Sequence, residues 1–355
     1  MKILIFGGTG AMGVPLVKLL GNDKGNEVYV TSRSYHSNSG NIFYIQGNAQ
    51  ADKEFAKKIL LEQHYDVLVD FMVYGSNILK QRLNLYLNNV DQYIFFSSSR
   101  VYASSMTPLI ESSPRLLDTC KDESYLETDE YALAKAREEN LLIKSGKNNW
   151  TIIRPYITYN SKRIQLGVYE KENWLYRALK GRSIIFPTDI ANRYTNLTFG
   201  PDVAKNLLKL IGNKDAYGEI FHIVNNEKIK WRDVAELYKN IVYKVTNKNI
   251  DIQFIKNSEG LQTVWNPWQI KYDRLYDRIF DSNKIIKLTG EPSYVSVEEG
   301  LTKCLTKFLN NPKWLDYRMN WKYEAWSDRK TYNLAKLSEI NGNKNKLIYL
   351  KNRFL

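Results

Sequence analysis

The residues that follow the first apolar run constrain this chain more than any others. Lys2-Ile3-Leu4-Ile5-Phe6 has the length and apolar character of a strand, and Gly7-Gly8-Thr9-Gly10-Ala11-Met12-Gly13 follows directly. Met12 to Leu20 then carries helical periodicity, so the glycines fall at a strand-to-helix turn. They satisfy two frames, Gly7/Gly10/Gly13 at three-residue spacing and Gly8-x-Gly10-x-x-Gly13. Glycine permits the tight turn and lets the backbone approach a pyrophosphate, while the helix start offers unpaired N–H groups and a positive dipole end. A dinucleotide is the expected ligand, held by Gly7, Thr9, Gly10, Ala11, Met12 and Gly13.

The rest of the first half supports that frame, because short apolar runs alternate with amphipathic stretches as in a parallel, doubly wound sheet. Strands are expected at Glu27–Thr31, Ile42–Ile45, Val67–Phe71, Tyr93–Phe96 and Trp150–Ile153. Helices are expected at 53–61, 77–87 and 129–143, the last with Glu138 and Glu139 on its polar side. After Arg154-Pro155 the regularity weakens. Helical stretches at 169–179 and 232–242 and one late strand, Ile220–Val224, remain legible. The expected organisation is a Rossmann-type α/β domain over 1–155 with a segment returning near 195–225. A smaller substrate lobe covers most of 156–310, and an aromatic, basic extension covers 311–355. That tail is expected to pack onto its own domain, with a dimer contact or a membrane-surface anchor as alternatives.

At the end of the second strand an NAD-binding chain normally carries an acid that accepts hydrogen bonds from a ribose. Here the run is Val30-Thr31-Ser32-Arg33, with no acid. Ser32 and Arg33 suit a 2′-phosphate through a hydroxyl and a charge-assisted pair, so NADP is expected, with NAD as the alternative.

Bulk composition excludes several classes. The longest apolar runs are strand-sized, so no membrane span is expected, and the first strand meets glycines too early for a secretory leader. Two cysteines far apart, Cys120 and Cys304, make no disulfide scaffold, and with His36, His64 and His222 they make no metal-ligand spacing. No metal and a reducing cytoplasm are the expectation. The net charge of +13 raises the question of nucleic acid, but the lysines are scattered and often stand beside asparagines, as in Asn247-Lys248-Asn249. No nucleic-acid partner is expected, and a basic surface equally suits an anionic cofactor and substrate.

The catalytic candidates are Ser98, Tyr131 and Lys135. Tyr131-Ala132-Leu133-Ala134-Lys135 places a phenol and an ammonium one helical turn apart, where the cation favours the phenolate. Such a pair alone is commonly plain surface. Ser97-Ser98-Ser99 at the carboxyl edge of the fifth strand changes that, because ligands of open α/β sheets bind beyond those edges.

With these residues the chain resembles the extended short-chain dehydrogenase/reductase superfamily, in particular its sugar-nucleotide epimerase, dehydratase and reductase branch. The resemblance covers most of residues 1–310. It rests on the glycine turn, Ser98-Ser99-Arg100-Val101-Tyr102, the Tyr131–Lys135 pair, Ile153-Arg154-Pro155 and Gly200-Pro201-Asp202-Val203-Ala204. It implies Tyr131 as general acid/base, and Lys135 as the residue that holds the nicotinamide ribose and depresses the phenol's pKa. It implies Ser98 as the group that polarises the substrate oxygen; Ser97 and Ser99 are the alternatives. It further implies a nucleotide-sugar substrate, and a homodimer through the helix bearing the pair and the one at 77–87. Three departures stand out. Ser99 and Arg100 replace the acid pair of the dehydratases, so dehydration is not expected. Asn48 stands where an aspartate often meets the adenine. Asp70-Phe71-Met72-Val73-Tyr74 replaces a small-residue segment, placing Phe71 on the nicotinamide side. The expected activity is keto-sugar reduction, with cofactor-retaining epimerisation as the alternative and a non-catalytic or RNA-associated Rossmann protein as another class.

Overall fold

The computed structural model describes residues 1–290 and 294–354. Seven parallel strands form its main sheet: β1 (Lys2–Phe6), β2 (Glu27–Ser32), β3 (Ile42–Gln46), β4 (Tyr65–Asp70), β5 (Val90–Phe96), β6 (Trp150–Pro155) and β7 (Glu219–Ile223). Their order is β7-β6-β5-β4-β1-β2-β3, so the chain reverses direction across the sheet between β1 and β4. The principal helices are α1 (Gly13–Asn22), α2 (Lys53–Glu62), α3 (Ser76–Asn89), α4 (Tyr131–Ile143), α5 (Lys171–Leu179), α6 (Gly200–Leu208), α7 (Trp231–Thr246), α8 (Val297–Asn310), α9 (Trp321–Thr331) and α10 (Asn343–Phe354).

The sheet's two-residue period sorts the core into two layers. Ile3 and Ile5 of β1 point to the side covered by Leu16, Val17 and Leu20 of α1 and by Val203, Ala204 and Leu207 of α6. Leu4 and Phe6 point to the opposite side, covered by Ala56, Ile59 and Leu60 of α2, by Leu79, Leu83, Tyr86 and Leu87 of α3, and by Leu142 of α4. Because both faces are buried, the strands read as continuous apolar runs rather than alternating ones.

The chain divides into two compact units. The first is 1–158 with 196–226 and 280–295, and it holds the seven-stranded sheet. The second is 159–195, 227–279 and 296–355. Within it Ile184–Pro187 pairs in parallel with Ile252–Ile255. Trp174 of α5 stacks on Tyr238 of α7 with ring centroids 4.6 Å apart. Tyr169 and Glu170 pair with Leu166 and Gln165 as a short hairpin, so α5 starts at Lys171, two residues later than the periodicity predicts.

The aromatic tail belongs to this second unit. Trp321 and Ala325 of α9 and Tyr349 of α10 form an apolar cluster with Ala335 and Ile340. A buried ion pair of Arg177 on α5 with Asp328 (2.5 Å) and Glu324 (2.9 Å) on α9 ties the tail to the unit's centre. Tyr349 donates its hydroxyl to the same Asp328, also at 2.5 Å. Among the described residues no helix is long and apolar enough to cross a membrane.

Candidate cofactor and catalytic site

The glycine turn has the backbone its residue types predict. Gly7 sits at φ +77, in the left-handed region that favours glycine, and its N–H reaches Thr31 Oγ1 at 3.3 Å. Gly10 N–H closes the turn onto Gly7 O at 3.2 Å. The glycines do different jobs. A Cβ on Gly13 would lie 2.6 Å from the backbone of Gly8, and one on Gly8 would lie 2.6 Å from Val30 Cγ1, so both are needed for packing. A Cβ on Gly10 would meet nothing nearer than Gly7 O at 3.5 Å; this exposed position is open to a ligand. The start of α1 has no side-chain cap and no acid in its first turn, which leaves its N–H groups and dipole to an anion. The turn thus fits a pyrophosphate on the donors and space it presents.

The other cofactor candidates are placed as follows. Arg33 is exposed and no described group pairs with its guanidinium, while Ser32 is buried and its hydroxyl accepts Ser34 N–H at 3.2 Å. Asn48 uses its side-chain oxygen to accept Ala51 N–H (3.1 Å) and Gln50 N–H (3.2 Å) at the turn into α2, leaving its amide N–H₂ for other partners. Phe71 packs on Phe96 with centroids 4.3 Å apart, and Met72 stands against Gly7, so bulky groups do follow β4.

The three serines after β5 are distinguished by their partners. Ser97 Oγ donates to Glu139 at 2.6 Å, and Ser99 Oγ donates to the carbonyl of Arg154 at 2.9 Å. Ser98 only accepts, from Arg100 N–H at 3.2 Å, and its own proton goes to no described group. Its side of the turn is bound to α4 at two points. Ser97 holds Glu139, and Arg100 pairs with Glu130 at 2.7 Å while its guanidinium carbon lies 5.3 Å from the Tyr131 ring centroid. Tyr131 opens α4, half-buried, behind a Glu130 cap on Ala132 N–H. Lys135 lies one turn on, 1% exposed, with Nζ 2.9 Å from Glu138 and 4.5 Å above the Phe95 ring. Tyr131 and Lys135 therefore differ sharply in environment despite sharing a helix.

Glu138 and Glu139 are a correction to the sequence reading. Both are 0% exposed, not on a polar face. Glu139 is buried because two cations and a hydroxyl converge on it: Arg154 at 2.6 Å and 2.7 Å, Arg115 at 3.1 Å, and Ser97. Arg154 continues to the Tyr102 hydroxyl at 2.7 Å, which is hydrogen-bonded to His222. Burial, with the Arg154 charge adding to it, holds His222 down to about 3, so the imidazole is neutral. Periodicity could not reveal this, because the partners come from the loop after β5, β6 and β7. Replacing Glu139 by alanine strands Arg154 without a carboxylate. We expect a cost of about 3–5 kcal/mol, read as a lower Tm and denaturant midpoint.

Sequence spacing also missed His64, Asp66 and Asp91, which meet at the surface beside the starts of β4 and β5. That is the opposite end of the strands from the glycine turn.

No protein-family model matches the chain. It is 27% identical over 251 residues to the chloroplast stem-loop binding protein of 41 kDa b of Arabidopsis thaliana, a match that takes in 66% of this chain and 61% of that protein. The chain thus spans less than two thirds of that relative's length. It is 20% identical to dTDP-glucose 4,6-dehydratase 1 of Escherichia coli, across 93% of this chain and 98% of that one. Among solved structures it is similar to dTDP-glucose 4,6-dehydratase from Bacillus anthracis in complex with NAD, with TM-score 0.67 and 17% identity over 90% of this chain and all of the other. UDP-glucuronic acid 4-epimerase from Bacillus cereus in complex with UDP-glucuronic acid and NAD follows at TM-score 0.63 and 18% identity, over 87% of this chain and 100% of that chain. At such identities what is shared is the fold. The likeness agrees with the all-parallel sheet and glycine turn already described, and it shows a fold shared with these dehydratase and epimerase structures.

Proposed function

We propose that the chain is an NAD(P)-dependent oxidoreductase acting on a nucleotide-linked sugar, and that it reduces a keto-sugar with Tyr131 as proton donor. One observation carries the reading. Of three serines beyond β5, Ser98 alone keeps its proton undonated, and Arg100 connects its turn to the Tyr131 ring. A nicotinamide nucleotide held by Gly7, Thr9, Gly10, Ala11, Met12 and Gly13, with Ser32, Arg33, Asn48 and Phe71 around it, supplies the hydride.

The chain's own groups do the rest. Ser98 donates a hydrogen bond to the substrate's carbonyl oxygen and fixes its orientation. Tyr131 gives its phenolic proton to that oxygen as it becomes an alkoxide. The Lys135 ammonium supports the ribose and lowers the cost of the phenolate left behind. Epimerisation uses the same three residues twice, and the deciding difference is cofactor retention. Ser99 and Arg100, both already engaged, offer no carboxylate where a dehydratase needs one. A cytoplasmic dimer packed through α3 and α4 completes the proposal.

Arg33 favours the reductase, because an exchanging NADPH needs a partner for its 2′-phosphate. Replacing Arg33 by aspartate should move preference from NADP toward NAD by about 1–3 kcal/mol, the scale of a charge-assisted hydrogen bond. Calorimetric titration with both nucleotides reads this, and an unchanged preference counts against the Arg33 assignment.

The likeness to a stem-loop binding protein, together with a net charge of +13, favours a second reading: an RNA-associated protein that keeps the dinucleotide as a structural ligand. Mass spectrometry of what the purified protein releases on denaturation separates them. A nicotinamide nucleotide with a sugar nucleotide supports the enzyme. RNA retained through moderate salt, with no sugar nucleotide, supports the second reading.

A further inference from the structure

Glu138 stands one turn of α4 beyond Lys135, and neither side chain meets solvent, at 0% and 1% exposure. Lys135 Nζ lies 2.9 Å from Glu138 Oε2, but the contact is an ion pair without hydrogen-bond alignment. Neither Nζ nor either Glu138 oxygen completes a hydrogen bond with a described residue. A buried ammonium and a buried carboxyl that pair incompletely are costly, so such groups point to a further ligand.

A second buried acid lies close by. Asp70, 0% exposed at the end of β4, accepts from the Tyr93 hydroxyl and from Met72 N–H, each at 2.9 Å, and feels the Lys135 charge. The groups facing Glu138 are thus Lys135 and Asp129 from α4 and its approach, Asp70 from β4 and Tyr93 from β5, with Tyr74 and Tyr86 beyond Asp70. Two carboxyls share one ammonium. Burial pushes Glu138 up to about 7, with Lys135 opposing and Asp70 adding to the rise, and burial pushes Asp70 up to about 6.

We infer that Glu138 is a positioning residue that holds Lys135 in a resting ion pair, and that dinucleotide binding draws the ammonium from it, with uptake of one proton by the Glu138 carboxylate. The inference rests on the reading of Lys135 as a ribose-binding residue. Lys135 remains an ammonium throughout. The proton comes from solvent, and the carboxylate becomes a neutral acid once its counter-charge has moved to the cofactor. The sign follows from that exchange. Lys135 lowers the proton affinity of Glu138, so removing it raises that affinity, and the complex holds more protons than the free protein. Cofactor affinity therefore falls as pH rises through about 7.

The test is calorimetric titration of the full chain with NAD, which lacks the titrating 2′-phosphate, in two buffers of different ionisation enthalpy. The wild type should take up part of a proton near neutrality, and its Kd should rise about tenfold between about pH 6 and pH 8. Glu138→Gln should abolish the uptake and flatten the profile, while Asp70→Asn should keep both. Lys135→Met is the second variant: with no ammonium to withdraw, its residual binding should also proceed without uptake. Flat binding in the wild type, or uptake that persists in Glu138→Gln, overturns the inference and leaves the proposed function standing. No binding of NAD or NADP at any pH overturns the two together.

Discussion

Tyr131→Phe should reduce turnover by about a hundredfold to ten-thousandfold, the usual contribution of a positioned general acid or base. The substitution keeps the aromatic ring and therefore its contact with Arg100, whose guanidinium carbon lies 5.3 Å from the ring centroid. It leaves the Glu130 cap on Ala132 N–H at 2.9 Å untouched. Cofactor affinity and Tm should stay near wild type, so the loss is chemical. Two companions sharpen the result. Ser98→Ala should lower turnover with a smaller effect on binding, since Ser98 gives up only an acceptor contact with Arg100 N–H within the fold. Lys135→Met should damage both turnover and cofactor affinity. The assay is nicotinamide absorbance with the keto-sugar matching whatever sugar nucleotide the protein releases. Normal turnover in Tyr131→Phe would leave the three residues as a fold relic and turn attention to the RNA-associated reading.

Gly10→Val should abolish dinucleotide binding without unfolding the chain. Gly10 is exposed, its φ lies outside the left-handed region, and the room around it is empty of side chains. A valine fits the free protein but occupies the space through which a pyrophosphate reaches the backbone N–H groups. Losing two hydrogen bonds to a charged acceptor, at about 1.5–3 kcal/mol each, weakens binding by more than about a hundredfold. Gly13→Ala is the contrast, because its Cβ would lie 2.6 Å from Gly8 backbone and the turn itself would have to move. The two variants should therefore separate in a thermal melt: Gly10→Val near wild type, Gly13→Ala lowered. Cofactor affinity retained in Gly10→Val would remove the glycine turn from the proposed site.

The sequence by itself determined the architecture, because local signals suffice for it. β1 to β6 are apolar runs bounded by turns, α1 to α4 carry helical periodicity, and the glycines mark the first strand-to-helix turn. Strand ends shift by two or three residues, as at β4 and β5, which begin earlier than their β-branched and aromatic centres indicate. The chemical residue types, a serine cluster at a strand end and a Tyr/Lys pair one turn apart, are also local patterns.

Tertiary structure decided which of those groups are engaged and which are left to act. The serine triplet is three identical hydroxyls in sequence. Only the arrival of Glu139 from α4 and of the Arg154 carbonyl from β6 takes up Ser97 and Ser99 and leaves Ser98. Glu138 and Glu139 read as polar helix positions because charge normally means solvent. For Glu139, cations from distant segments, Arg154 and Arg115, reverse that, and their arrival is invisible to a 3.6-residue period. Glu138 is buried beside Lys135 of its own helix. The aromatic tail likewise has irregular spacing, and its burial depends on Arg177 of α5 meeting Asp328 and Glu324 about 150 residues later. Periodicity reports how a segment presents itself to its surroundings. Which long-range partner makes those surroundings is settled only when the chain folds.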